Sequence, residues 1–270
     1  MMDETNKIHA DRYFINWHET DFKGVATPAT ICNYLGESAG RQSQKLGFGY
    51  KDAMRLNQFW VVLRWAIKME KYPKWQDEII METWPRMPEH LYAYRDYRIK
   101  NLEGEVIGAA SSTWMVLDGN TRRPQKLELV KGLLHHTLDE KSLEENPRKI
   151  LPSEKIDSSS LITTKYSDMD FHGHVTNSKY VEWCIDLFDH DFHQKHFLSE
   201  LQINFLGECR FGDELEIRLS KVDTNKFIVA AVNVKSRKNI FTAELLWQWA
   251  VGSTESFRDQ LAVKKQSPGD

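Results

Sequence analysis

Asp21-Phe22-Lys23-Gly24-Val25-Ala26-Thr27-Pro28 and Asp170-Phe171-His172-Gly173-His174-Val175-Thr176-Asn177 are the two stretches on which the reading of this chain turns. Asp, Phe, Gly and Thr match in register, at an offset of 149 residues from Asp21 to Asp170. A second pair aligns nearby: Trp75-Gln76-Asp77-Glu78-Ile79 against Phe211-Gly212-Asp213-Glu214-Leu215, at an offset of 136. Repetition at this separation points to a tandem duplication. The smaller second offset gives the first half a longer helix-to-strand region.

The same pattern surrounds each copy. After the second, Val181, Cys184, Ile185 and Phe188 recur at i, i+3, i+4 and i+7, one face of a helix. After the first, Ile31, Leu35 and Ala39 recur at i+4 steps. Thr27-Pro28 reads as an N-cap followed by Pro at the first helical position, and Gly47 after Leu46 as a stop. Strand-like alternation follows in both halves. In the second it runs through Leu201, Ile203 and Phe205, then Leu215, Ile217 and Leu219, then Phe227, Val229 and Ala231, then a run ending in Leu245, Trp247 and Trp249. In the first, strands are expected over 59–67, 77–84, 91–100 and 106–117.

Each half is therefore expected to be a strand, a long helix and an antiparallel meander. That is an α+β arrangement in which an antiparallel sheet wraps its helix. Two such units can pair edge strands into one sheet and remove two exposed edges. The expected units are 1–145 and 146–270. Between them a charged segment over 124–155 carries Leu129, Val130, Leu133 and Leu134, which suggests some helix, and Pro147 and Pro152, which suit a linker. The polar tail after Ser253 is expected to fray.

Composition narrows the functional classes. Of 270 residues 41% are hydrophobic, with 9 Trp, 9 Tyr and 13 Phe, so a sizeable core is available and disorder is not expected. A net charge of −3 argues against a dedicated nucleic-acid binder. No apolar run approaches a membrane span, and the acidic start Met1-Met2-Asp3-Glu4-Thr5 lacks a signal-peptide pattern. Cys32, Cys184 and Cys209 are odd in number and far apart, with no Cys/His metal spacing. The expectation is a cytoplasmic protein without metal or cofactor.

Chemistry concentrates in the second copy. Asp170, His172, His174 and Asn177 fall within eight residues at a helix start, whereas the first copy has Val25 and Pro28 at the His174 and Asn177 positions. A purely structural turn has no need of that asymmetry. A helix N-terminus offers unpaired N–H groups and a positive dipole end, which suit an oxyanion. Gly173 lets a ligand approach the backbone. A His beside a carboxylate can shuttle a proton near neutral pH. Glu208-Cys209-Arg210 adds a carboxylate and a thiol between two strands.

Plainer readings stand beside these. Asp170, like Asp21, can be an Asx-turn residue, and Asn177 a helix-start hydrogen-bonder. Glu208 can be an ordinary strand-end carboxylate, and Cys209 a small buried hydrophobe. Trp60, Trp65, Trp84 and Trp114 are expected mostly in the core, with a minority lining a ligand tunnel. Arg122-Arg123 with Lys126 reads equally as a receiver of phosphate or an acidic partner and as a solvated basic turn.

The second stretch resembles the D-x-N-x-H motif of the acyl-acyl-carrier-protein (acyl-ACP) thioesterases of plants and bacteria. In that family an Asn-Asn and a Tyr follow, and then a Glu-Cys after the spacing seen here from His174 to Glu208, 34 residues. Tyr180 and Glu182-Trp183 fit the family's helix. Phe59-Trp60-Val61-Val62-Leu63-Arg64, Lys71-Tyr72-Pro73-Lys74-Trp75, Glu82-Thr83-Trp84, Ala110-Ser111-Ser112-Thr113-Trp114 and Thr121-Arg122-Arg123 resemble its first-domain strands. The resemblance covers about residues 8–250. His172 departs from it, standing where the family usually has Asn, and Thr176 replaces the first Asn of the pair.

The resemblance implies a double hotdog fold and hydrolysis of the thioester between a fatty acyl chain and the phosphopantetheine arm of acyl carrier protein. It places Asp170, His172, His174 and Glu208 in the catalytic set, with His172 at the family's Asn position, and Cys209 and Asn177 as possible catalytic or neighbouring groups. The acyl pocket would lie largely in the first half, with Trp60, Val62 and Arg64 as substrate contacts and Gly173 as another. The expected chemistry is attack by water held by Glu208 or Asp170, with His174 orienting the carbonyl and amides near Gly173–Val175 receiving the oxyanion. A His at 172 would repel a protonated His174. The rivals are Cys209 as nucleophile, an acyl-CoA thioesterase, and a non-catalytic acyl-chain binder. A homodimer is a further expectation.

Overall fold

The structure is a computed structural model that describes residues 7–126 and 133–250. The first half runs β1 (His9–Phe14), the Asp21 loop, α1 (Pro28–Lys45), a short α2 (Tyr50–Arg55), then β2 (Gln58–Met69), β3 (Glu78–Glu89), β4 (Tyr92–Asn101) and β5 (Val106–Asp118). The second half repeats the order: β6 (Ser158–Thr163), the Asp170 loop, α3 (Asn177–Ile185), α4 (His190–Lys195), β7 (His196–Phe205), β8 (Glu214–Lys221), β9 (Lys226–Asn233) and β10 (Asn239–Trp249).

All ten strands form one antiparallel sheet in the order β1-β3-β4-β5-β2-β7-β10-β9-β8-β6. Read inward from either end, the order is the same for the two halves, as a duplication requires. The halves join where β2 pairs β7, from Arg64 opposite Asn204 to Lys68 opposite Glu200. That pairing consumes one edge of each unit and, among the described residues, leaves β1 and β6 as the edges.

Local chemistry explains where α1 begins and ends. The Thr27 hydroxyl accepts from the Thr30 N–H at 3.1 Å, and Pro28 occupies the first turn. Gly47, with φ of +80°, turns the chain out after Leu46. Ile31, Leu35 and Ala39 of α1 are buried against Ile79, Met81, Tyr97 and Ile99 of the sheet. Each large aliphatic side chain buried this way is worth about 1.5–3 kcal/mol. The second helix is short. α3 stops at Ile185, so Phe188 of the apolar pattern falls beyond it. Asp189 accepts from the Phe192 N–H at 2.7 Å and starts α4 instead, a local side-chain bond that competes with helix continuation. Phe188 still reaches the core by stacking on Phe192, with centroids 4.7 Å apart.

The described part of the connection between the halves packs on the sheet at β3, β4 and β7. It holds only a 3₁₀ turn, Leu133–His136. Leu129, Val130 and the tail beyond Ser253, for which helix and fraying were expected, lie outside the described residues. Ser142 donates to Asp96 Oδ1 at 3.1 Å, Trp84 Nε1 donates to Glu140 O at 2.9 Å, and Asn204 brackets Arg148 O and the Ile150 N–H. Beneath this strap Arg86 and Asp96 form a buried ion pair. Burial raises the Asp96 carboxyl's pKa even with Arg86 beside it. No helix among the described residues is long and apolar enough to cross a membrane.

Candidate active site

The Asp170 loop is built by its own carboxylate. Asp170 Oδ1 accepts from the His172 N–H at 2.8 Å and the His174 N–H at 3.2 Å. The Asp170 N–H donates to His174 O at 2.8 Å, and the Gly173 N–H to Asp170 O at 3.0 Å. Gly173 has φ of +74°, a conformation that favours glycine. The Val175 N–H donates to Cys209 O at 2.9 Å and ties the loop to the chain after β7. These bonds aim His174 at Glu208, with Nε2 and Oε2 3.4 Å apart. The other Glu208 oxygen accepts from Arg122 of the first half.

A cavity of about 670 Å³ opens beside these groups. One wall is the small face of α1, where Gly36, Ala39, Gly40 and Ser43 recur at i, i+3, i+4 and i+7. Trp60 and Val62 of β2 and Trp114 of β5 face it, so two of the four tryptophans singled out line the cavity. Trp65 and Trp84 are buried elsewhere. Asp170, His172, His174, Asn177, Glu208 and Arg122 gather at the exposed end. Tyr50 of α2 closes the rim, its ring edge-on to Phe171 and His172 at 5.4 and 5.2 Å.

Several expected site groups are committed elsewhere in the structure. The amides of Gly173, His174 and Val175 each already donate, within the loop or to Cys209 O. The Asn177 and Ser178 N–H groups, at the start of α3, find no acceptor among the described residues. Arg64 does not line the cavity. A bulge between Val62 and Arg64 on β2 shifts the alternation by one residue, so Arg64 turns to Pro147 O at 3.5 Å and to the Tyr92 ring. Gly173 does not line it either and serves the loop's shape. Cys209 is fully buried outside the cavity lining, and burial pushes its thiol up to about 11. A protonated, enclosed thiol is a poor nucleophile. His172 is exposed, its ring against Phe171 and Tyr50, and makes no side-chain hydrogen bond among the described residues.

The first copy shows what the asymmetry means. Asp21 folds the same loop, accepting from the Lys23 and Val25 N–H groups at 2.8 and 3.3 Å. A cavity of about 630 Å³ lies beside it. At the position of His174 stands Val25, and by the 136-residue offset Tyr72 stands at that of Glu208 and Pro73 at that of Cys209. Lys23, at the His172 position, donates its ammonium to His193 O and His196 O at 2.8 and 3.0 Å. The scaffold is duplicated; the His–carboxylate pair is not.

Sequence reasoning missed Tyr50 and Phe59 as site neighbours and paired neither Arg122 nor Arg123 with Glu208. The only signal was the basic turn itself, 86 residues from its partner in the chain.

Comparison with known proteins agrees with this architecture. The family model "Acyl-ACP thioesterase N-terminal domain" matches residues 6–130, and "Acyl-ACP thioesterase C-terminal domain" matches residues 152–249. The chain is 26% identical over 230 residues to a chloroplastic oleoyl-acyl carrier protein thioesterase of Coriandrum sativum, covering 79% of this chain and 62% of that one. It is 28% identical over 234 residues to a chloroplastic palmitoyl-acyl carrier protein thioesterase of Gossypium hirsutum, covering 81% and 56%. The chain thus spans about 60% of the length of these plant relatives. The crystal structure of an acyl-ACP thioesterase from Bacteroides thetaiotaomicron superposes with a TM-score of 0.86 at 28% identity, over 92% of this chain and all of that one. The 12:0-ACP thioesterase from Umbellularia californica, 19% identical, shares the fold with a TM-score of 0.81 over 90% of this chain and 98% of that one. A double hotdog sheet, one chemically equipped loop of two, and both domain matches in order make this chain a member of the acyl-ACP thioesterase family.

Proposed function

We propose that this protein hydrolyses the thioester of fatty acyl-ACP to free fatty acid and the carrier's phosphopantetheine thiol. The observation that carries the reading is the placement of the His174–Glu208 pair, 3.4 Å apart, at the open end of a cavity walled by Trp60, Val62 and Trp114. The acyl chain would lie along the small face of α1, with its thioester carbonyl at the pair. Glu208 and His174 together take a proton from water as its oxygen attacks the carbonyl carbon. The carbon–sulfur bond then breaks, and the proton returns to the leaving sulfur. The Asn177 N–H group, at the cavity lining, receives the oxyanion.

Proton transfer of this kind contributes typically about 10²–10⁴-fold. One oxyanion donor contributes about 10²–10³-fold. A thioester needs no covalent relay beyond these. Asp170 holds the loop that aims His174, since its Oδ1 is committed to two backbone N–H groups. His172 is assigned to the rim rather than to proton transfer. The three cysteines are free and buried, which supports a reducing compartment such as the cytoplasm.

The test is thiol release from matched panels of acyl-ACPs and acyl-CoAs by wild type, His174→Ala, Glu208→Gln and Cys209→Ala. Cleavage of acyl-ACP that falls by about 10²-fold or more, to a measurable residual rate, in the first two variants and is kept in the third supports the reading. Cleavage of acyl-CoA alone would reassign the carrier. Acyl-chain binding without any turnover would make this a binding protein.

A further inference from the structure

Arg122 comes from the first half, yet its guanidinium donates to Glu208 Oε1, while Glu208 Oε2 lies 3.4 Å from His174 Nε2. Other contacts hold Arg122 in place. Its guanidinium carbon sits 4.6 Å from the centroid of the Phe59 ring on β2. Its main-chain N–H donates to Asp118 O at 2.9 Å. The Asp118 carboxylate folds the turn, with Oδ1 accepting from the Asn120 and Thr121 N–H groups at 3.1 and 2.8 Å. Arg122 itself has φ of +58°, the left-handed region that residues with a Cβ seldom occupy. Such conformations persist where the surroundings over-determine them, and they cluster at functional sites.

We propose that Arg122 is a positioning residue of the site: it clamps one oxygen of Glu208 and thereby turns the other toward His174. The chemistry of the second half then depends on a turn supplied by the first. The inference rests on the hydrolase reading above. A planar guanidinium suits the task, because it can stack on Phe59 and bind a carboxylate edge at once, whereas an ammonium is a point charge. A competing role is capture of the phosphate on the phosphopantetheine arm. The geometry favours the clamp, since the guanidinium already lies between a carboxylate and an aromatic ring.

The experiment compares wild type, Arg122→Gln and Arg122→Lys, each with native Glu208 and with Glu208→Gln. Two substrates are used: a fatty acyl-ACP and the same acyl group on N-acetylcysteamine, which carries no phosphate. Arg122→Gln is expected to lower kcat by about 10–100-fold on both substrates, part of what a general acid–base group supplies. KM should move by less than about threefold, the signature of an interaction used in the transition state. Arg122→Lys should recover part of the loss. With Glu208→Gln already present, Arg122→Gln should cost less than about twofold more, because the two residues act as one unit.

A KM defect on acyl-ACP that vanishes with the phosphate-free thioester would overturn the clamp in favour of arm binding. Full additivity in the double variant, or an unchanged kcat, would also overturn it. An inactive wild type would sink the hydrolase reading itself and this inference with it. If Arg122→Gln fails to fold, Arg122→Lys and its double variant carry the same test.

Discussion

Gly40 gives the sharpest test of where the acyl chain lies. It sits in the middle of α1, lines the cavity, and a Cβ built on it meets no atom within 4 Å. Gly40→Leu therefore places four carbons in the cavity without a clash at their root. Glycine in a helix interior is worse than leucine by about 0.8 kcal/mol, so the fold should gain stability. For a chain of this size that raises Tm by about 2–3 °C. Substrate binding should suffer instead. Each buried methylene is worth about 0.8 kcal/mol, so displacing four costs about 3.2 kcal/mol. That is roughly 200-fold in kcat/KM. The assay is kcat/KM over acyl-ACPs of graded length, with a thermal melt of each variant. We expect a steep loss for the chains that fill the cavity, none for shorter chains, and a Tm no lower than wild type. Gly36→Ala, on the same face with equally open space, should give the same pattern at one-methylene size, about fourfold. A folded Gly40→Leu with undiminished long-chain activity would refute the tunnel. An equal loss at every length would mean that the residue touches the chemistry and not the chain.

Cys209→Ala should keep kcat within a few-fold of wild type, and iodoacetamide at neutral pH should not abolish the proposed thioester cleavage, because the thiol is enclosed and protonated; a loss above about 10²-fold in a folded variant would restore Cys209 as nucleophile. Asp96→Ala strands the Arg86 cation under the strap and should cost about 3–5 kcal/mol in a denaturant melt; a cost below about 1 kcal/mol would show that the pair is not buried as a unit. Burial lowers the pKa of His193, so the folded state favours its neutral form. Its contribution is present above the ordinary value of 6.5 and is lost as pH falls through the depressed one. His9, lowered by the same cause, adds to the effect. Wild-type Tm should therefore fall from pH 7 to pH 5, and His193→Gln should flatten that fall; identical slopes would refute the assignment.

Much of the architecture was legible because its causes are local. Thr27-Pro28 starts α1 through a bond three residues long, and the strand runs alternate because one face of the sheet is buried. The repeat announced two loops of the same shape, since in each an Asp side chain accepts from the N–H groups two and four residues on. Other features were hidden by equally definite causes. The helix after Asn177 reads as long by its apolar spacing, but Asp189 recruits the next amides for α4. The family resemblance puts Arg64 among the substrate contacts, but a bulge on β2 turns it to Pro147 O and the Tyr92 ring instead. The Gly173–Val175 amides read as free donors, but the loop's own carboxylate and carbonyl, and that of Cys209, have claimed them.

By itself, then, the order of residues determined the duplication, the start and stop of α1, the alternation of strands away from the β2 bulge and the confinement of His174 to one half. All of these depend on groups within a few residues of each other or on direct self-similarity. Only the tertiary structure decided that β2 joins β7, that the cavity runs along Gly36 and Gly40, and that Arg122 meets Glu208 across 86 residues. Those contacts are set by how two curved half-sheets dock and where one bulge falls, and no short-range rule of spacing carries that information.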